Sequence, residues 1–371
     1  MNVLVANLGS TSFKYKLMDM DADGAVLAKG GYERIGQAGS AYATHGDVID
    51  VILKELPKPP DAIGFKAVHG GPISGAVRVD ARVIATMEEF SDVAPAHNPP
   101  YIAAMKAFLQ KLPTVPQVAA FETAFHQTIP MARQVYAIPH EWTENLGVRR
   151  YGFHGASHRF IATRIREILG ADATRRVISV HLGGSCSTCA IENGKSIDHS
   201  FGMTAQSGVM HNNRVGDFDT FALLKLLKHD LTLDQIFKRL GKEGGLLGIS
   251  GVSNDMRDIE KAAGEGNERA KLAVNAFVES VRHYIGSHLV ALGGCDALVF
   301  TGGIGENGVA IRAAICRDME WAGVVLDPQK NQTRGKEIRI SKVESGADIW
   351  VIPTNEELIV ARQAVSVLTT N

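Results

Sequence analysis

The sequence predicts an α/β protein built from two related halves. Short apolar runs bounded by turn residues alternate with longer stretches of helical periodicity. A strand–turn–strand unit occurs in each half, as VLVANLGSTSFKYKLMD from Val3 and as VISVHLGGSCSTCAIENGKSID from Val177. Both units pass from an apolar strand through a polar residue to Leu-Gly, a hydroxyl-rich turn and a returning strand. The 371 residues are enough for two domains or lobes.

The individual elements follow from local patterns. In the repeated units we predict strands over residues 3–6, 13–18, 177–181 and 188–191, with a further turn at residues 192–195. Two apolar runs later in the chain, at residues 298–300 and 349–352, predict short strands. Amphipathic periodicity predicts helices over residues 98–112, 157–169, 218–228, 270–292 and 309–319.

Composition and charge exclude several classes of partner. The formal net charge is −1, which does not indicate binding to nucleic acid or to an anionic membrane. No apolar stretch reaches membrane-spanning length, and the apolar start is too short for a signal peptide and lacks a basic region. The four cysteines, at positions 186, 189, 295 and 316, are too few for a disulfide scaffold. We therefore expect a cytoplasmic protein.

Three glycine-rich turns suggest a phosphate ligand. A tight turn of Gly, Ser and Thr can aim backbone N–H groups and hydroxyls at a phosphate, and the two repeated turns could hold a nucleotide across a cleft. Lys14 follows the first turn and could add a cation. The third element, TGGIGEN from Thr301, is predicted as a glycine loop between a strand and a helix. It is not a Walker loop and lacks the dinucleotide fingerprint, so NAD is disfavoured.

Two other patterns do not predict a metal or redox site. His154 and His158 are four residues apart, but Gly155 argues against a regular helix through them, and no glutamate stands between them as in a zinc peptidase. Cys186 and Cys189 have CxxC spacing, but no helix is predicted to begin there and no second CxxC exists. We interpret them as packed thiols.

A series of motifs runs in order along nearly the whole chain: NLGSTSFKYKL, AVHGG, APAHNPP, FETAFHQT, YGFHGASH, HLGG, GKSID, NRVGDFD, GIGEN and PTNEEL. With these motifs the chain resembles the acetate kinase family, within the superfamily of acetate and sugar kinases, Hsp70 and actin. The resemblance implies two ribonuclease-H-like, actin-like ATPase lobes, residues 1–150 and 151–371, with mixed sheets flanked by helices and an ATP cleft between them. The first lobe would be trimmed between Ile35 and Lys54, and the last helix would pack back on it.

The resemblance also implies the activity and its residues. It implies Mg²⁺- and ATP-dependent phosphorylation of a small organic acid carboxylate to an acyl phosphate, by a homodimer. Such a transfer needs positioning and neutralisation of the charge on the phosphoryl oxygens. The implied metal ligands are Asn7 and Glu356, and the implied catalytic residues are Glu122, His154 and Arg214. Those implied for the acid are Lys66, Val68, Ala96, Phe153 and Ala205. Those implied for ATP are Ser10, Ser12, Lys14, His181, Leu182, Gly183, Gly184, Ser185, Asp255, Met256, Arg257, Gly303, Ile304, Gly305, Glu306 and Asn307.

The chain departs from the family pattern around the acceptor. Lys66 stands where Arg is usual, and it lacks the bidentate fork. Glu122 stands where the catalytic Asp is usual, and Gly184 replaces an Asn. Ala96 and Ala205 replace a Leu and a Pro, so both changes remove volume. These departures predict an acid larger than acetate or, if Lys66 and Glu122 bind a polar group, a hydroxylated or doubly charged acid.

Two alternative functions remain open on the residues alone. One is another phosphotransferase on the same fold, with a different acceptor, with pyrophosphate as the donor, or acting as a phosphatase. The other is a catalytically silent nucleotide-binding sensor. Retention of Asn7, His154, Arg214 and Glu356 together argues against the silent protein.

Overall fold

The computed structural model describes residues 1–94 and 97–370, and its strands form two mixed sheets of six strands each. The strands are β1 (Asn2–Gly9), β2 (Ser12–Asp19), β3 (Ala25–Tyr32), β4 (Ala62–Ala67), β5 (Ala76–Arg78), β6 (Gln117–Phe121), β7 (Arg176–Leu182), β8 (Cys186–Glu192), β9 (Lys195–His199), β10 (Ala297–Thr301), β11 (Ile338–Arg339) and β12 (Asp348–Val351). The helices are α1 (His45–Glu55), α2 (Ala81–Glu89), α3 (Asn98–Lys111), α4 (Met131–Gln134), α5 (His140–Leu146), α6 (Gly155–Leu169), α7 (Ala222–Leu227), α8 (Leu233–Lys242), α9 (Gly245–Ser250), α10 (Met256–Gly264), α11 (Glu268–Leu292), α12 (Gly302–Asn307), α13 (Val309–Cys316) and α14 (Glu356–Thr369).

The two sheets have the same topology. The first has the strand order β3-β2-β1-β4-β6-β5, and the second, read from its other edge, has the order β9-β8-β7-β10-β12-β11. In each sheet the first three strands are antiparallel, the central strands are parallel, and the last edge strand is antiparallel again. The duplication predicted from the repeated units is confirmed.

The two predicted hairpins differ by one residue in their turns. Strands β1 and β2 pair up to Gly9 and Ser12, which leaves a two-residue turn. Strands β7 and β8 pair up to Leu182 and Cys186, which leaves the three residues 183–185. The longer turn extends further beyond the sheet, where a backbone rich in glycine can approach a ligand closely.

Each sheet is covered by helices on both faces. In the second sheet Phe277 and Val281 of α11 pack in one core, and Ile161 of α6 packs in the core on the other face. In the first sheet α1 and α3 cover one face. The C-terminal helix α14 covers the other, where Val360 and Ala364 are buried against β1, β4 and β6. Burial of a side chain such as Val360 contributes about 1.5–3 kcal/mol. The helix α14 thereby carries Glu356, its first residue, to the cleft between the sheets.

Three predicted elements differ from the structure. The helix expected over 218–228 is shorter, and the helix expected over 309–319 ends at Cys316. The glycine-rich stretch after β10 is not a loop but the short helix α12. Its first N–H group, on Gly302, donates to Oε1 of Glu306 at 3.0 Å. A side chain of α12 itself therefore caps the N-terminus of this helix. In the described residues, no helix is long and apolar enough to cross a bilayer.

Candidate active site

A cavity of about 310 Å³ lies where residues from both halves of the chain meet. The ends of β1, β4 and β6 contribute from the first sheet, and the turn after β7 contributes from the second. The cavity is therefore built across the duplicated fold. Its lining residues are Asn7, Leu8, Gly9, Ser12, Lys14, Lys66, Val68, His97, Tyr101, Glu122, Phe153, His154, Ser185, Ala205 and Arg214.

A second cavity of about 370 Å³ lies within the second half. The three-residue turn separates the two cavities, because Ser185 lines the first while Gly183 and Gly184 line the second. A phosphate chain that ran past this turn would therefore join the two spaces. The second cavity is lined by Gly183, Gly184, Asn212, Asp255, Met256, Arg257, Glu260, Gly303, Ile304, Asn307, Gly308 and Arg334.

Some residues predicted to bind ATP line neither cavity. Ser10 is exposed at the tip of the first turn, and the side chain of Leu182 is fully buried in the core. Gly305 is buried, while Glu306 accepts hydrogen bonds from the N–H groups of Gly302 and Thr354. Nδ1 of His181 lies 2.8 Å from Oγ of Ser157. For these positions, as for the predicted ATP positions that line a cavity, nucleotide binding stays a prediction.

An ammonium group lies between two carboxylates at the acceptor end of the first cavity. Nζ of Lys66 contacts Oε2 of Glu356 and lies 3.8 Å from Oε1 of Glu122. Lys66 and Glu122 come from neighbouring parallel strands, β4 and the residue after β6, and Glu356 begins α14. Both carboxylate oxygens of Glu122 are buried and, among the described residues, have no hydrogen-bond partner.

The two carboxylates have opposite pKa shifts. Burial raises the pKa of Glu122 to about 7, although the nearby Lys66 opposes this shift. Burial acts in the same direction on Glu356, but Lys66, His181 and Lys16 together outweigh it and lower the pKa of Glu356. Burial alone would lower the pKa of Lys66, and the two carboxylates hold it above its usual value. At neutral pH the charged pair is therefore Lys66 and Glu356, and Glu122 titrates.

His154 is positioned by the backbone and by a serine. It precedes α6 in a left-handed conformation, with φ 55°, and Nε2 of His126 donates to the preceding carbonyl of Phe153 at 2.9 Å. Its own Nδ1 lies 2.8 Å from Oγ of Ser187, and its ring centroid lies 4.2 Å from that of His181. Burial and the neighbouring histidines hold the pKa of His154 well below its ordinary value. A neutral imidazole in the cleft can donate one hydrogen bond to a phosphoryl oxygen.

The guanidinium of Arg214 lines the first cavity and has no acidic partner among the described residues. Nη1 of its guanidinium donates to the carbonyl of Ala205 at 2.7 Å, and burial lowers its pKa. No carboxylate of the described residues forms an ion pair with it. A half-buried guanidinium of this kind can bind an anion through several donors at once.

The donor set near Lys66 suits a hard cation. Asn7 supplies an amide oxygen. The hydroxyl of Tyr101 donates to this oxygen at 3.4 Å and accepts from the N–H of Leu8 at 3.0 Å. Glu356 and the unpaired oxygens of Glu122 supply carboxylates. Mg²⁺ prefers a few oxygen ligands of this type, completed by phosphate and water. The residues present therefore fit Mg²⁺.

The structure adds residues that sequence reasoning missed. Tyr101 and His97 line the first cavity, and Asn212 and Arg334 line the second. A Cβ placed on Gly184 would lie 3.9 Å from Nδ2 of Asn212, so this amide lies beside the position where the family pattern has an Asn. The one available signal was that Asn212 belongs to TAQSGVMHNNR, the segment from Thr204 that stands where the family pattern has a more apolar stretch with Pro and Glu.

The apolar wall of the first cavity is formed by Val68, Phe153 and Ala205. These are three of the positions predicted to hold the acid. Of the other two, Lys66 also lines this cavity, and Ala96 lies outside the described residues.

Comparison with known proteins gives consistent matches over the whole chain. The model of the Acetokinase family matches residues 47–362. An acetate kinase from Dictyoglomus thermophilum is 43% identical, with 99% of each sequence covered. The crystal structure of Porphyromonas gingivalis acetate kinase has a TM-score of 0.92 and 41% identity, covering 99% of this chain and 100% of that one. The structure of a propionate kinase from Francisella tularensis has a TM-score of 0.91 and 35% identity, covering 98% and 99%.

Proposed function

The chain belongs to the Acetokinase family, and we propose that it transfers the γ-phosphoryl group of Mg-ATP to the carboxylate of a short aliphatic acid. The observation that carries this proposal is the cleft itself. Arg214, His154 and Lys66 surround one cavity that a glycine-rich turn connects to a second, nucleotide-sized cavity. The fold is the duplicated actin-like ATPase fold of the family.

The reaction needs no strong base, because the carboxylate of the acid is its own nucleophile. A carboxylate oxygen bonds to the γ-phosphorus while the bond from that phosphorus to the bridging oxygen of ADP breaks. Arg214 and His154 are placed to donate hydrogen bonds to the phosphoryl oxygens, where charge is spread during the transfer. The ammonium of Lys66 offsets the repulsion between the acid and the phosphates.

Asn7 and Glu356 would hold Mg²⁺, with Tyr101 orienting the amide of Asn7. When bound, Mg²⁺ neutralises charge on the β- and γ-phosphates. Glu356 already faces Lys66, so the same carboxylate would balance two cations at the acceptor end. Glu122 adds a carboxylate whose charge depends on pH near neutrality.

The second cavity is proposed to take the nucleoside. Asp255 caps α10 by accepting from the N–H of Arg257 at 2.9 Å, which fixes the edge of the cavity next to Met256. Gly303 and Ile304 of α12 form the opposite edge. The lobes 1–150 and 151–371 would then each supply one hairpin turn to the phosphates, with Ser12 and Lys14 from the first.

The acid is proposed to be larger than acetate. The wall formed by Val68, Phe153 and Ala205 is apolar, which favours an aliphatic chain over a hydroxylated one. Ala205 replaces a bulkier residue usual in the family, so the space beside it can take an additional carbon.

Trapping of acyl phosphates as hydroxamates tests the function. Purified protein would be given ATP, Mg²⁺ and acetate, propionate, butyrate or lactate in turn, with pyrophosphate replacing ATP as a donor control. We expect hydroxamate formation and matching ADP release with a short aliphatic acid. Release of phosphate or ADP without hydroxamate, for every acid, would contradict the proposal and favour a phosphatase or another acceptor.

A homodimer and a cytoplasmic location are the remaining proposals. Large apolar side chains are exposed just before α7 and on α8, where Phe221 is 78% exposed and Phe237 is 58% exposed, as a subunit interface would require. All four cysteines are buried and free, which suits a reducing compartment. Light scattering of the wild type and of Phe221→Asp with Phe237→Asp tests the first proposal, and fractionation tests the second. A monomeric wild type would contradict the dimer.

A further inference from the structure

A chain of buried side chains leads away from the cleft behind His154. Nδ1 of His154 lies 2.8 Å from Oγ of Ser187, which in turn lies 2.8 Å from Nε2 of His158. Nδ1 of His158 lies 2.8 Å from Oγ of Ser179. Ser187, His158 and Ser179 are all completely buried. One serine thus contacts two imidazoles, and the hydrogens along this chain must be shared consistently.

Three arrangements of these hydrogens use every contact. In one of them both imidazoles donate to Ser187, whose own buried hydroxyl hydrogen then has no acceptor among the described residues, at a cost of about 1–3 kcal/mol. The other two run in opposite directions. Neutral imidazole carries one N–H, and a serine hydroxyl donates one hydrogen. In the first of these two arrangements Ser179 donates to His158, His158 donates to Ser187, and Ser187 donates to Nδ1 of His154. The remaining N–H of His154 is then on Nε2. In the second arrangement every donor is reversed, and Nε2 of His154 carries a lone pair instead.

The far end of the chain decides between the two arrangements. In the reversed arrangement His158 donates to Ser179, whose hydroxyl hydrogen then needs another acceptor. Among the described residues the side chain of Ser179 has no hydrogen-bond partner other than His158. A buried donor without an acceptor costs about 1–3 kcal/mol. The forward arrangement leaves no donor unpaired, and unused lone pairs are tolerated better than an unused N–H or O–H.

We propose that Ser179, His158 and Ser187 are positioning residues that fix His154 as the Nε2–H tautomer, so that its imidazole donates to the phosphoryl group during transfer. This inference rests on the proposed function for its catalytic consequence, but not for the tautomer. Burial keeps His154 and His158 neutral, which supports the same arrangement. A neutral imidazole carries its single hydrogen on one of two nitrogens, so its neighbours can select the tautomer, whereas a charged ring has a hydrogen on both. With the opposite tautomer, a lone pair would face the phosphoryl oxygens and repel them.

The tautomer can be read without any substrate. In protein labelled with ¹⁵N at histidine, long-range ¹H–¹⁵N spectra separate Nδ1–H from Nε2–H rings, and His154→Gln assigns the His154 signals. We expect Nε2–H in the wild type, and a shift of the Nδ1 resonance when Ser187→Ala removes its donor. A proton on Nδ1 of His154 in the wild type would overturn the proposal, even if the protein proved to have another activity.

Kinetics test the consequence. Ser187→Ala should lower kcat by ~10-fold with the KM values for acid and nucleotide within about twofold, because a misoriented donor acts in the transition state. Ser187→Thr keeps a hydroxyl and should recover most of the rate. In a His154→Gln background, Ser187→Ala should cause no further loss. A full additional loss there, or a wild-type kcat in Ser187→Ala, would overturn the proposal.

The neighbouring residue supplies a matched control. Thr188 follows Ser187 on β8, points to the other face of the sheet, and pairs its hydroxyl with Nε2 of His288 at 2.9 Å. Thr188→Val therefore removes an equally buried hydroxyl–imidazole contact, and it should lower Tm without changing kcat. If Ser187→Ala does not fold, Ser179→Ala tests the far end of the chain. It should lower kcat by ~3-fold, again only when His154 is present. An equal loss in the His154→Gln background would contradict the proposal.

Discussion

Nζ of Lys66 lies 3.8 Å from Oε1 of Glu122, because Lys66 stands on β4 and Glu122 directly follows the neighbouring parallel strand β6. The family pattern has Arg and Asp at these positions, so the chain combines a shorter cation with a longer carboxylate. The two departures compensate each other in reach, while the fork of the arginine is lost.

The paired change predicts non-additive kinetics. Lys66→Arg alone should crowd Glu122, and Glu122→Asp alone should leave the ammonium without its neighbour, so each should lower kcat/KM by ~10-fold. The double variant should recover most of this loss. Steady-state rates of the four proteins measure the coupling. Losses that simply multiply in the double variant would show that the two positions act independently.

The raised pKa of Glu122 predicts a pH-dependent stability. Its carboxyl binds a proton up to about pH 7 in the folded protein, whereas its ordinary value is 4.5. The stability from the protonated form is therefore complete below about pH 4.5 and is lost as the pH rises through about 7. Glu122→Gln keeps the neutral shape, so its Tm relative to wild type should rise between pH 5 and pH 8. A Tm difference that is constant over this range would contradict the assignment.

Arg214 is predicted to act mainly in the transition state. It has no acidic partner among the described residues, so its charge is available to the transferring group. Arg214→Ala should lower kcat by ~10²-fold or more while nucleotide binding, measured by calorimetry, stays nearly unchanged. Arg214→Lys keeps the charge but loses the several N–H donors of the guanidinium, so its kcat should lie between those of wild type and Arg214→Ala. Near-native turnover of Arg214→Ala would show that another group stabilises the phosphoryl oxygens.

Glu356 is predicted to set the metal requirement. Glu356→Gln removes a charged oxygen ligand but keeps the shape and the start of α14. The Mg²⁺ concentration needed for half-maximal activity should rise by ~10-fold. Glu357→Gln is a suitable control, because Glu357 pairs with Lys16 at 3.0 Å, whereas Glu356 contacts Lys66, which lines the cleft. An identical Mg²⁺ response in wild type and Glu356→Gln would exclude Glu356 as a ligand.

Sequence reasoning could predict the parts of this protein that depend on local patterns. The repeated units gave both hairpins, because an apolar strand and a small-residue turn are encoded within about twenty residues. The helical nature of α12 was missed, because glycine-rich sequence favours a loop until Glu306 closes the first turn. The hydrogen-bonded series from Ser179 through His158 and Ser187 to His154 was also missed. It joins residues that are 21 to 33 positions apart, and only the packing of α6 on the second sheet brings them together.

Ala205 gives the prediction about acid specificity. It lines the apolar wall with Val68 and Phe153, and its carbonyl, which accepts from Arg214, is unaffected by a larger side chain. Ala205→Val adds two carbons and should fill the space that the end of a longer acid would take, where each buried methylene is worth ~0.8 kcal/mol. Because propionate has one methylene more than acetate, the ratio of kcat/KM for propionate to that for acetate should fall by ~4-fold or more in the variant. The wild type should prefer propionate or butyrate to acetate, measured by the hydroxamate assay.

If wild type instead uses acetate best by a wide margin, neighbouring side chains already fill the space beside Ala205. If Ala205→Val loses all activity without gaining relative acetate turnover, the acceptor is a polar acid bound through Lys66 and Glu122.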